Sequence, residues 1–106
     1  MNNHNKIIQA IRALGNDSNN QKWMIVEAYI QQLLNNLLNV SDNAEIDAIF
    51  KNLDTIQVEL AKKIYKEDMR LPSHLIQFVS DFDRIDDLEV KKNIINKVRK
   101  GEYLPL

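Results

Sequence analysis

Between positions 43 and 67 apolar residues recur every three or four places: Ile46, Ile49, Leu53, Ile56, Leu60 and Ile64. That spacing follows the 3.6-residue turn of an α-helix and puts all of these side chains on one stripe. A strand cannot use it, because successive strand side chains point to opposite faces. The same rhythm returns along nearly the whole chain. Several stripes of this kind are satisfied only by packing helix on helix.

Four helical stretches are predicted, the last either continuous to about residue 100 or followed by a short fifth. The first, 4–14, buries Ile7, Ile8, Ile11 and Leu14, and Gly15 stands where a left-handed C-terminal cap is wanted. Residues 15–20, GNDSNN, form the clearest turn. The second, 21–39, carries a seam of Trp23, Val26, Ile30, Leu33 and Leu37, widened by Met24, Tyr29, Leu34 and Leu38. A face this broad belongs at the centre of a bundle.

The third stretch, 43–67, opens on Asp42 with Glu45 three places on, a capping-box pattern. Its outer face is expected to show Lys51, Asp54, Lys62, Lys63 and Lys66, with Asp47–Lys51 and Glu59–Lys63 spaced as helical ion pairs. Pro72 ends one helix and suits the start of the next. Leu75, Phe78, Val79, Phe82 and Ile85 then mark a fourth helix over 73–85. Leu88, Val90, Ile94, Ile95 and Val98 either prolong it or form a short fifth helix over 87–100, capped by Asp86 or Asp87. A break there is favoured. Gly101 stops the last helix and leaves a tail at 101–106. Short connections favour antiparallel neighbours. The expected fold is all-α, an antiparallel up-down four-helix bundle with a short C-terminal fifth helix, in one domain of 106 residues.

Bulk properties narrow the function. A hydrophobic fraction of 44% sustains one core at this length. A net charge of −1 argues against a general nucleic-acid binder, which needs a basic face to neutralise phosphates. With no cysteine there is neither a disulfide nor a thiolate metal site. No signal peptide and no membrane-length apolar run is visible, so the chain is expected in the cytoplasm, with at most peripheral contact at the inner face of the membrane. Abundant Asn, Ile and Lys fit an AT-rich genome.

Chemistry-bearing constellations are scarce. His4 and His74 lie far apart, and neither shares a helical face with a carboxylate at metalloprotease spacing. His74 reads as an exposed first-turn residue. Neither glycine belongs to a phosphate-cradling loop. Asp81, Asp83, Asp86, Asp87 and Glu89 lack the glycine a calcium loop requires and read as a solvated helix end. No catalytic residue, cofactor or metal is expected, and the chain reads as a binding protein rather than an enzyme. Lys91, Lys92, Lys97, Arg99 and Lys100 form a basic run near the C-terminus, where positive charge suits the helix dipole. Tyr103, Leu104 and Leu106 follow the helix stop as an apolar tail. Lys97, Arg99, Lys100, Tyr103, Leu104 and Leu106 are the expected partner-binding residues.

One family resemblance adds to this. A helix ending in ELAKKIYKEDM (59–69), then Leu-Pro, then LIQFVSDFDRI (75–85) resembles the immunity proteins of pediocin-like bacteriocins, of the enterocin A type. The chain length and helix order agree. The segment 88–100 and the EYLPL tail extend beyond the likeness, which transfers no individual site residue. The resemblance implies a cytosolic helical bundle that protects a Gram-positive producer cell from its own bacteriocin. Its partner would be a membrane sugar-transporter receptor already engaged by the peptide. Two other readings fit the residues alone. One is a small regulatory adaptor or inhibitor binding a cytosolic protein through the acids at 81–89. The other is a homodimer completed through the broad second helix, in place of a monomer.

Overall fold

A computed structural model describes residues 3–17 and 19–102. The described residues form five α-helices and no strand: α1 (Asn3–Ala13), α2 (Asn20–Asn39), α3 (Asn43–Tyr65), α4 (Ser73–Asp81) and α5 (Leu88–Arg99). An all-helical bundle with a short C-terminal helix is therefore what the periodicity predicts.

Polar contacts fix the directions. His4 meets Tyr29 of α2 and Thr55 of α3, while Arg12, two turns on, reaches Glu59. Thus α1 runs alongside α3 in the same sense and against α2. Gln57 of α3 donates to the Val79 carbonyl of α4 at 3.1 Å, so α4 folds back along α3. The first four helices alternate up and down. α5 packs on α2. Two helices share the centre: α2 touches α1, α3 and α5, and α3 touches α1, α2 and α4. The sequence placed only α2 there.

The core follows the stripes. Ile8, Ile11, Val26, Ile30, Leu53, Ile56, Leu60, Leu75, Phe82 and Ile94 are among its buried members. Three apolar residues predicted to be inward are not: Met24, Leu38 and Leu88 are exposed. Met24 and Leu38 sit on the side of α2 that no other helix covers.

Caps explain most of the ends. The Asn19 and Asp42 side chains accept from the Lys22 and Ala44 amides, and start α2 and α3. Asp87 accepts from the Glu89 amide at 2.9 Å and starts α5. At the far end Gly101, with φ of +75°, closes α5 in a Schellman turn. The Gly101 amide donates to Val98 O and the Glu102 amide to Lys97 O.

Three boundary details differ from the expectation. α1 does not end on a left-handed Gly15; Gly101 is the only described glycine with positive φ. Instead Lys63 donates to the carbonyls of Arg12 and Leu14 at 3.0 and 2.7 Å, so an ammonium from α3 caps α1. α3 ends at Tyr65 rather than 67, and Asp68 takes the positive φ, +52°, as the Met69 amide folds back onto Lys63 O. α4 stops at Asp81, not 85. Phe82 and Ile85 still point inward, but from a turn. Phe82 and Ile85 are buried there while Asp83, Arg84 and Asp86 stay in solvent, and the break leaves Asp87 to cap α5.

Candidate binding surfaces

The predicted basic surface lies on the last turn of α5. Lys97, Arg99 and Lys100 are exposed there, and their charge suits the carbonyl end of the helix. Tyr103, Leu104 and Leu106 lie outside the described residues. Lys91, earlier in the same run, is drawn away: its ammonium lies 5.8 Å from the centre of the Phe50 ring.

That contact belongs to a second surface. Asp47, Lys51 and Asp54 of α3 face Ile85, Asp86 and Lys91 across a shallow groove of about 150 Å³ floored by Phe50. The acids at 81–89 are dispersed in role. Asp81 accepts from Gln77 at 2.8 Å, and Asp87 caps α5 while pairing with Arg84 at 3.3 Å. Among the described residues no three His, Asp or Glu side chains are placed to hold a metal ion.

The third surface is the outward side of α2. Met24 and Ile25 are each 59% exposed and Leu38 is 48% exposed. Met24, Glu27, Ala28, Gln31, Gln32, Asn35 and Asn36 line an open groove of about 410 Å³ along it. Gln31 donates to Asn35 Oδ1 at 3.0 Å, and its own Oε1 is buried without a hydrogen-bond partner. Glu27 is the one charged residue on this helix beyond Lys22, and burial raises its carboxyl pKa against the pull of His74. The periodicity did not separate this face from the core, because its apolar residues look like core until the neighbours are known.

The histidines have opposite fates. His74 is exposed in the first turn of α4, as predicted. His4 is buried, one turn before Ile8 on the inner stripe of α1. Thr55 spends its hydroxyl hydrogen on the carbonyls of Lys51 and Asn52, so it accepts from His4 Nε2–H at 3.1 Å. Tyr29 then donates to Nδ1, also at 3.1 Å. Desolvation lowers the His4 pKa, in keeping with a neutral ring. The signal was legible in the i, i+4 spacing to Ile8.

Two lysine and glutamate roles also depart from the expectation. Lys63 is buried, not on the outer face, and pairs with Glu67 at 3.3 Å. Glu59 pairs with Arg12 at 3.1 Å and with Lys62 at 3.5 Å instead of with Lys63. The Arg12 guanidinium, through its hydrogen bonds and charge, holds the Glu59 carboxyl below its ordinary range despite burial. These groups join helices and are spent on the fold.

No described helix is long and apolar enough to cross a membrane. Comparison with known proteins gives one positive result. A family model described as immunity protein CdiI-like matches residues 3–100. No curated protein and no solved structure matches. The match takes in all five helices, and the chain belongs to the CdiI-like immunity protein family.

Proposed function

We propose that this chain protects a cell by binding a protein toxin and blocking it, without chemistry of its own. The observation that carries the reading is the family match across residues 3–100. The placement of polar groups supports it. His4, Glu59 and Lys63 are committed to joining helices, which leaves surfaces rather than a reactive centre for function. A rigid bundle presenting a fixed surface is what inhibition by contact requires.

The exposed basic turn of Lys97, Arg99 and Lys100, with the tail residues Tyr103, Leu104 and Leu106, is the contact we assign to the toxin. Basic charge there favours an acidic patch on the partner and would speed encounter. The narrower bacteriocin form of this reading places the partner at a membrane sugar transporter. It is supported only by the pattern within 59–85, and binding a toxin directly needs no receptor.

The test uses the purified full chain and candidate protein toxins, taken first from neighbouring genes. Calorimetry is expected to show a one-to-one complex, with toxin activity falling in step with occupancy. Reversing Lys97, Arg99 and Lys100 to Glu should weaken binding at least tenfold and lessen its salt dependence. Protection of cells with no toxin complex detectable would remove the direct-binding reading and favour the receptor form.

A further inference from the structure

Three charged side chains are buried in this bundle, and two of them are paired. Glu59 meets Arg12 and Lys62, and Lys63 meets Glu67 and two carbonyls of α1. The third, Glu27, is 7% exposed, and among the described residues no hydrogen bond or ion pair reaches it. His74 acts on it only as a more distant charge. One turn further along α2, Gln31 Oε1 is buried and lacks a donor, while the nitrogen of the same amide is spent on Asn35 at 3.0 Å. A buried charge without a partner is costly, and a buried carbonyl oxygen without a donor loses what water gave it.

Both residues line one groove of about 410 Å³. Residues one helical turn apart hold their side chains about 5–6 Å apart at Cβ, so one ligand can meet both. Glu27 is the one charge between Lys22 and Asp42, and the rest of the lining is neutral. The two free groups are both acceptors, and one is an anion. The group that matches them carries positive charge, several donors and no acceptor. A guanidinium has five N–H donors in a planar fork, enough to serve a carboxylate and a carbonyl oxygen together. Met24 and Ala28, on the same groove, offer apolar contact to the methylenes behind it.

We propose that the groove at Glu27 and Gln31 is a guanidinium site, which receives an arginine side chain of the protein partner. That this partner is the toxin rests on the function proposed above, whereas the guanidinium chemistry stands without it.

The test follows the Glu27 carboxyl carbon and the Gln31 side-chain amide by NMR. The full chain is titrated at neutral pH with acetyl-arginine methylamide and, in parallel, with its uncharged analogue acetyl-citrulline methylamide. Saturable shifts at both residues are expected with the arginine compound alone. They should disappear in Glu27→Gln, which keeps the shape of the side chain and is checked for folding by circular dichroism. No saturable shift, an equal response to the citrulline compound, or an unchanged response in the variant would overturn the site. Calorimetry with a toxin that binds the wild-type chain then tests the occupant. Glu27→Gln should weaken that complex at least about tenfold, because the arginine is left without its anion. An undiminished complex would overturn the assignment to the toxin's arginine while leaving toxin binding intact. A saturable arginine response with no toxin complex would uphold the site and remove the toxin reading.

Discussion

His4, Glu59 and Lys63 tie the helices of this bundle together through polar contacts. Each is buried. Lys63 has the clearest consequence. Its ammonium takes the place of a glycine cap by binding two carbonyls at the end of α1. Lys63→Met keeps the aliphatic stem but strands those carbonyls. It should cost about 1–3 kcal/mol in chemical denaturation, whereas Lys62→Met, at an exposed position, should stay within about 0.5 kcal/mol. His4 and Glu27 pull stability in opposite directions with pH. His4 has its folded pKa lowered from 6.5, so the unfolded chain takes up the proton first. The stability it contributes is present above about pH 6.5 and is lost on acidification below it. His4→Asn should flatten that part of a melting-temperature profile while lowering the plateau. Glu27 has its folded pKa raised above 4.5, so its ionised form is a cost at neutral pH that acid relieves. Glu27→Gln should raise the melting temperature near pH 7, and the gain should vanish below about pH 4.5.

At the scale of helices, the elements differ in how firmly they are held. α3 buries Phe50, Leu53, Ile56 and Leu60 and is packed by three neighbours, whereas α5 buries only Ile94 and Val98. Amide hydrogen exchange should therefore run from fast in α5 to slow in the middle of α3. Asp87→Ala removes the α5 cap and its pairing with Arg84, and should cost about 1 kcal/mol while raising exchange in α5 first. These elements were also where the sequence was most and least informative. The α3 stripe and the stop at Gly101 were readable because each rests on neighbours a few residues away. The end of α1 was not, since its cap comes from Lys63, about fifty positions later. The exposed seam of α2 was likewise hidden, because Met24 and Leu38 carry the same local pattern as Trp23 and Leu37. Only the absence of a helix beside them distinguishes the two pairs.

For the whole molecule, the division of labour is between a core whose buried His4, Glu59 and Lys63 join helices and a surface that keeps its charge in patches. The basic turn of α5, the mixed groove beside Phe50 and the neutral seam of α2 are three chemically different surfaces on one small scaffold. The basic turn was legible from composition, and its use as a toxin contact is our proposal. The groove was not, because it joins acids of α3 to Asp86 and Lys91 across some forty residues. Membership of an immunity family fits a molecule that works by presenting such surfaces. The direct measurement is survival. Cells expressing the toxin that binds the chain in vitro are scored with the wild-type chain, with the Lys97, Arg99 and Lys100 charge-reversal variant, and with no chain. Growth restored by the wild type and reduced for the folded variant, with the toxin recovered bound to the chain, is the expected result. Cells that die alike in all three cases, with the chain shown to be folded and abundant, would contradict immunity by contact.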